Sequence, residues 1–210
     1  MAALAVQLEG WRATLRGGAV RVGWKLGVGD GERIGGELAV GHLTSATLLE
    51  SGASYSAGDT GDLRADVEVA FEIGRPTGPG DPAADPALGA VGVALELVDL
   101  DGPPDGPEAV VAANIFHRAV AFGPFRPPPL PPGVQGRLLV NGRVAGSAPV
   151  AADVAGRLGA AARVLAAAGE RLQPGDRVIT GSVAQVPVRP GDRVAADLGR
   201  LGRVELSILP

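Results

Sequence analysis

Asp66 and Glu68 stand two residues apart in the stretch Leu63 to Ile73. Alternation along a strand sends both carboxylates to one face, about 6.5–7 Å apart at the backbone. Side chains of that reach can converge on one hard cation; a solvated strand face is the alternative. Glu96 lies in the almost unbroken apolar run Val91-Gly-Val-Ala-Leu-Glu-Leu-Val98. A carboxylate there is largely buried and needs a partner: an arginine, a backbone nest or a metal. Asp66, Glu68 and Glu96 together offer a magnesium-type set of oxygen donors, completed by waters and a chelating ligand. No nitrogen or sulfur donor stands near them in sequence to favour zinc or copper. Without a cation such groups repel and raise one another's pKa.

The basic residues number 19, and Lys25 is the one lysine among them. Chance survival in an arginine-rich composition is one explanation; a chemical requirement is the other. Three further patterns carry less. Gly27-Val-Gly-Asp-Gly-Glu32 brings its third glycine one place too early for a dinucleotide loop, and no helix is expected after it. His42 and His117 share no metal-ligand spacing and read as structural. Ser182, after Thr180-Gly181, lacks the frame of a nucleophile elbow, so Thr180 and Ser182 read as a polar strand end.

These residues must be positioned by a chain of 210 residues and 21.0 kDa, which suits one domain or one domain with a short appendage. Hydrophobic residues make up 46%, enough for a sizeable core, while 33 glycines and 18 prolines imply many turns between short elements. Aromatics at 3% exclude stacking platforms for single-stranded nucleic acid, and a net charge of −4 excludes a basic footprint. With no cysteine there are no disulfides, thiolate nucleophiles or iron–sulfur clusters. Neither a signal peptide nor a membrane-spanning run is evident, so a cytoplasmic protein without membrane association is expected.

Ala2 to Arg16 is expected to form a helix with Ala5, Leu8, Ala13 and Leu15 on one broad face, ended by Gly17-Gly18. Val20 to Leu26 reads as a strand carrying Trp24 and Lys25, Gly27 to Gly36 as a loop, and Leu43 to Leu49 as a short helix or turn. Leu63 to Ile73 is the clearest strand, with Leu63, Ala65, Val67, Val69, Phe71 and Ile73 on one face. Residues 75–88 read as a Pro/Gly/Asp loop and 101–106 as a turn. Arg126 to Gly133 is an extended proline-rich connector, and Arg137 to Val144 a hairpin around Asn141-Gly142. Asp153 to Leu172 gives the best helical pattern, through Val154, Leu158, Ala161, Leu165 and Leu172. Pro174-Gly175-Asp-Arg-Val178 and Pro190-Gly191-Asp-Arg-Val194 are turns feeding strands. The whole is α+β, dominated by short strands: a short helix and strand segment over 1–40, then a β-rich core over 41–210.

Taken in order, these residues resemble the fumarylacetoacetate hydrolase superfamily, in particular its 2-keto-4-pentenoate hydratase and 4-oxalocrotonate decarboxylase branch. The resemblance runs through Val6-Gln7, Gly23-Trp-Lys-Leu-Gly27, Gly41-His-Leu-Thr-Ser45, Asp66-Val-Glu-Val-Ala-Phe71 and Glu96-Leu-Val-Asp99. It continues through Ala113-Asn114 and Arg177-Val-Ile-Thr-Gly-Ser182 to Leu201-Gly-Arg-Val204, nearly the whole chain. It implies a mixed, mostly β roll with flanking helices, forming one catalytic domain over 1–210 in a homo-oligomer. It implies Mg2+ or Mn2+ on Asp66, Glu68 and Glu96, and a small 2-oxo or 2-hydroxydienoic acid as substrate, reacting through a metal-stabilised enolate. Lys25 then shuttles a proton or neutralises the enolate oxygen, Asp99 orients Lys25 or water, and Asn114, His117, Arg118, Thr180 and Ser182 bind substrate.

The sequence also departs from the superfamily's pattern. Asp66 replaces the first glutamate of the acid pair and shortens one ligand arm by a methylene. Ala113-Asn-Ile-Phe-His-Arg118 places bulky and basic groups where the relatives have small ones, which favours a second negative group on the ligand near His117 or Arg118. Asp99-Leu-Asp101 stands for the usual Asp-Ser-Arg, and much of the relatives' N-terminal region is missing. Two other readings stay open: an acylpyruvate carbon–carbon hydrolase, which needs a histidine-containing dyad, and a non-catalytic partner subunit or small-acid binder.

Overall fold

Two mixed sheets and a small number of helices build the protein, and β-strand dominates. The computed structural model describes residues 2–28, 31–34, 36, 38–74, 88–102 and 106–210. In chain order the elements are α1 (Ala2–Arg16), β1 (Arg21–Val28), α2 (Gly31–Ile34), β2 (Leu38–Thr44), β3 (Leu48–Leu49), β4 (Ser54–Ser56), β5 (Leu63–Ile73) and β6 (Leu88–Asp99). There follow α3 (Pro107–Ala112), β7 (His117–Arg126), β8 (Gln135–Val140), β9 (Arg143–Pro149), α4 (Arg157–Ala167), β10 (Arg177–Pro187), β11 (Arg193–Asp197), a 3-10 turn (Gly199–Leu201) and β12 (Arg203–Leu209). One sheet has the order β2-β1-β10-β5-β6-β7-β3, the other β4-β12-β11-β8-β9. The α+β, mostly β class expected from the sequence is the class found. No described helix is long and apolar enough to cross a membrane.

β5 sits in the middle of the larger sheet, and its alternation is the one read from sequence. Leu63, Ala65, Val67, Val69, Phe71 and Ile73 enter the main core together with Val91, Val93, Leu95 and Leu97 of β6. The smaller sheet covers that core with Leu138, Val194, Val204 and Leu206, while α1 and α4 add Leu8, Trp11, Leu158 and Leu165. The second face of the larger sheet carries a smaller cluster, Leu43, Ala70, Ala94, Val120 and Ile179. Asp66, Glu68 and Glu96 alternate with the main-core residues, so they belong to this second face.

Several expectations are corrected. Of the helix or turn expected over 43–49, the turn is found at 45–46, between the end of β2 at Thr44 and β3, which pairs in parallel with β7 through Leu48 and Leu49. The buried stripe of α1 is Leu4, Gln7, Leu8 and Trp11, whereas Ala5 and Ala13 are exposed. The stripe keeps helical spacing but is chosen by the residues with most surface to bury. α4 is shorter than its pattern: Gly156 precedes it and Gly169, at φ +78°, follows its end, although Val154 and Leu172 beyond it are buried all the same. In the stretch 27–36, β1 runs on through Val28 and a single turn, α2, follows. Residues 29, 30 and 35 of that stretch, 75–87 of the expected loop and 103–105 of the expected turn lie outside the described residues. The hairpin at Asn141-Gly142 is found, with φ of +51° and +80°. Both Pro-Gly turns are found as well, with Gly175 and Gly191 at φ +84° and +94° leading into β10 and β11.

β1 enters the sheet by pairing in parallel with β10, Gly23 opposite Arg177 and Lys25 opposite Ile179. The approach is closest at Gly23, where φ is +151° and an added Cβ would stand 2.0 Å from the Arg177 carbonyl oxygen. Backbone cannot yield there as a side chain would. Gly23→Ala is therefore expected to destabilise the fold by about 3 kcal/mol, the upper end of overpacking costs. Denaturant unfolding checks it; a loss below about 0.5 kcal/mol would show that β1 and β10 are not locked at this point.

Candidate metal centre

Four strands supply the site. β5 carries Asp66 and Glu68, β6 carries Glu96 opposite Asp66, β10 brings Ser182 opposite Glu68, and β1 brings Lys25. Asp66, Glu68, Glu96 and Lys25 are all buried. One carboxylate oxygen from each acid lies within 4.8 Å of the other two. They open onto a cavity of about 270 Å³ that Lys25, Ser182 and Gln185 also line. Leu26, Val28, Ile34, Val98, Leu100 and Ile115 form its apolar wall. The solvated-face alternative for Asp66 and Glu68 is thus overturned, because both side chains are buried at this cavity.

Each acid is held differently. Glu96 Oε1 takes Lys25 Nζ at 2.6 Å and His117 Nδ1 at 2.6 Å. Glu68 Oε2 accepts the Gly181 backbone N–H at 2.7 Å. Asp66 accepts Ser182 Oγ at 2.8 Å and the Gln185 amide at 3.3 Å. Gly181 has φ +94°, and a Cβ on it would come within 2.3 Å of Val28. Only glycine lets β10 bulge there and turn its N–H toward Glu68.

Burial pushes Glu96 upward, but Lys25 and His117 outweigh it and hold the carboxyl at about 2. Burial, with Glu96 beside it, lifts Asp66 to about 7. Burial and the two neighbouring acids lift Glu68 well above the ordinary carboxylate value. With Glu96 paired to Lys25 and burial favouring protons on Asp66 and Glu68, a divalent cation would take the place of those protons. An all-oxygen, partly charged, nearly dry set of this kind fits a hard divalent cation.

The structure gathers Lys25, Asp66, Glu68, Glu96 and Ser182 on the cavity, while the other expected site residues stand off it, His117 behind Glu96. Asp99 is three positions from Glu96, an odd offset that turns it to the opposite face. Its carboxylate accepts the Asp62 and Asp101 N–H groups and Arg118 Nη2, not Lys25. Arg118 is spent on that ion pair. Thr180 Oγ1 donates to the Val69 carbonyl and is fully buried. Asn114 exchanges two hydrogen bonds with the His42 backbone, through Oδ1 at 2.8 Å and Nδ2 at 3.0 Å. His117 stands behind Glu96, and its Nε2 meets Thr47 Oγ1 at 2.9 Å. None of these five lines the cavity. Asp99, His117 and Arg118 line a separate cavity of about 80 Å³, so the second subsite expected around His117 and Arg118 is not part of the cavity at the acids. Gln185 has no counterpart in the sequence reading: it lies an odd three positions from Ser182, and only the register shift between Ser182 and Ala184 brings both to Asp66.

One local conformation stands out. Asn114, Ile115 and Phe116 have φ of +62°, +53° and +63°. Left-handed backbone costs about 1–2 kcal/mol per residue outside glycine and is least tolerated by β-branched and bulky side chains. The carbonyl of Ile115 accepts Lys25 Nζ at 2.8 Å.

No family model matches the chain, and neither does any curated protein. Solved structures do match. The chain is similar to 4-oxalocrotonate decarboxylase from Pseudomonas putida G7 complexed with magnesium and adipate, at 23% identity and a TM-score of 0.83, over 99% of this chain and 85% of that one. It is similar to fumarylpyruvate hydrolase from Pseudomonas aeruginosa in complex with Mn2+ and pyruvate, at 18% identity and a TM-score of 0.69, over 90% of each chain. A third is 2-hydroxyhepta-2,4-diene-1,7-dioate isomerase from Mycobacterium marinum, at 18% identity and 0.62, over 90% of this chain and 75% of that one. These likenesses show the fold, and it is the roll expected from the resemblance to the fumarylacetoacetate hydrolase superfamily.

Proton linkage gives a direct test of the centre. Folded Asp66 and Glu68 hold protons that the unfolded chain has already released, so their contribution to stability is present at low pH and is lost as pH rises through about 7. Burial of His42 and His117 works in the opposite direction, but only below their ordinary value of 6.5. The metal-free protein is expected to lose stability between about pH 6.5 and 8, and saturating Mg2+ to abolish that loss while releasing protons. Thermal unfolding with Mg2+ or a chelator checks the first part, and calorimetry in buffers of unlike ionisation enthalpy the second. Glu68→Gln, which keeps the acceptor for Gly181, should stabilise the metal-free protein by about 1–2 kcal/mol. The same variant should weaken the cation by about 100-fold.

Proposed function

We propose that this protein is a divalent-metal-dependent lyase of the hydratase or decarboxylase type, acting on a small 2-oxo or 2-hydroxydienoic acid, with Mg2+ or Mn2+ as cofactor. The observation that carries this reading is the convergence of Asp66, Glu68 and Glu96 with a buried Lys25 on one small cavity. Asp66, Glu68 and Glu96 would hold the cation. When bound, it supplies Lewis-acid polarisation of the oxygens of a chelating acid.

The chain's own groups supply the rest. Lys25 Nζ lines the cavity and touches Glu96, so it can give or take a proton at that atom and balance charge that develops on a substrate oxygen. His117 backs Glu96 and fixes the carboxylate that both cation and lysine share. Ser182 and Gln185 orient Asp66, whose shorter arm leaves less freedom in how it reaches a ligand. The apolar wall excludes water from the reacting carbons. The cavity volume of about 270 Å³ lies below the roughly 300–1,000 Å³ of pockets for drug-sized ligands, in keeping with a small acid.

The hydrolase reading asks for a base that activates water. His117 has a carboxylate partner, which the sequence did not reveal, yet both its ring nitrogens are engaged and it does not face the cavity. That observation ranks the lyase reading first.

Mg2+ and Mn2+ are titrated calorimetrically into the wild type and Glu68→Ala, with and without oxalate as an enolate mimic. Binding that oxalate strengthens and Glu68→Ala removes is the expected result. No binding in any condition would overturn the assignment. In a panel of 2-oxo acids with product analysis, Lys25→Ala is expected to lower turnover by about 10²–10⁴-fold while still binding metal. Metal binding with no turnover of any acid would favour a non-catalytic binder.

A further inference from the structure

We propose that Asn114 is a positioning residue: it fixes the direction of Lys25 through the backbone carbonyl of Ile115. Three sets of contacts carry this.

The first is the end of α3. Asn114 N–H donates to Val111 at 3.1 Å and Ile115 N–H to Val110 at 2.8 Å, the paired bonds that close a helix when the next residue is left-handed. Asparagine tolerates that conformation, but Ile115 and Phe116 continue it, and their side chains do not favour it. Something outside the turn must hold it.

The second is the Asn114 side chain. Its amide forms a two-bond bridge with the His42 backbone, accepting from the N–H and donating to the carbonyl, as a neighbouring strand would. This ties the turn to β2, whose Gly41 lies opposite Lys25. Gly41 is part of the same device. A Cβ there would stand 2.6 Å from Asn114 Oδ1 and 2.7 Å from Lys25 Cγ, so the missing side chain is what lets amide and lysine pass each other.

The third is the outcome. With the turn held, the Ile115 carbonyl faces the cavity and accepts Lys25 Nζ at 2.8 Å, while Glu96 takes the same nitrogen. A flexible four-carbon stem is thereby given two fixed anchors. The bearing of this on turnover rests on the role of Lys25 proposed above; the test does not.

Lys25 is the only lysine in the chain, so protein labelled with 15N at lysine Nζ gives one side-chain resonance. Asn114→Gly keeps the left-handed freedom at 114 and removes both amide bonds. In the metal-free protein it is expected to move that resonance and to speed its hydrogen exchange by about tenfold or more, with the backbone spectrum still dispersed. Asn114→Asp keeps the acceptor for His42 N–H and is expected to recover part of the protection. A folded Asn114→Gly variant with the wild-type resonance and exchange rate overturns the proposal. Should the glycine variant not fold, Asn114→Asp decides: protection equal to wild type overturns it, and partial loss supports it. A wild type that neither binds Mg2+ nor turns over a 2-oxo acid would defeat the functional reading and leave this result standing.

Discussion

Glu96 is buried between a lysine and a histidine, and much of the molecule is arranged to allow it. A carboxylate in the interior of a sheet is tolerated when charged donors reach it in fixed geometry. Lys25 and His117 do so from strands on either side, and both meet the same oxygen. Their presence keeps Glu96 ionised, and its charge in turn raises the cost of ionising Asp66 and Glu68 next to it. The opposite face is apolar from Leu63 to Ile73 on β5 and from Val91 to Leu97 on β6, and burial on that side offsets the cost of the charged side. Such strain at a polar centre within an otherwise well-packed core is the usual compromise between stability and chemistry.

The neighbours of the acids sort by how much freedom they retain. Ser182, Gln185 and the Gly181 N–H meet Asp66 and Glu68 from β10, so those two acids depend on the pairing of β10 with β5. Glu96 depends instead on β1 and β7, which carry Lys25 and His117. The centre is therefore not the property of one hairpin. It exists where independent strand pairings intersect, and a shift in any of them misplaces one ligand.

Parity along strands explains what was legible in the sequence. The Leu63–Ile73 alternation fixed which side of β5 bears the acids, and Glu96 announced itself as a charge within an apolar run. Lys25 was visible as a solitary lysine. Asp99 was misread although the same rule argues against it, since it lies an odd number of positions from Glu96. Thr180, Ser182 and Gln185 were beyond simple parity because β10 shifts register twice, between Ile179 and Ser182 and between Ser182 and Ala184. Asn114 and His117 were legible as polar residues in a mixed segment, but their partners, His42, Glu96 and Thr47, come from strands whose pairing no local pattern encodes. Burial of the polar face of β5 was hidden for the same reason.

β1 reaches its place beside β10 only after most of the chain has been made: the hydrogen bond from Trp24 to Asp176 spans 152 positions. Contacts of that separation form late, because the loop they close must be ordered first. Lys25 rides on that long-range contact, whereas the acids are brought together by the pairing of β5 with its neighbour β6. The direction of Lys25 against Glu96 thus depends on contacts between the two ends of the chain, whereas Asp66, Glu68 and Glu96 share one pair of neighbouring strands.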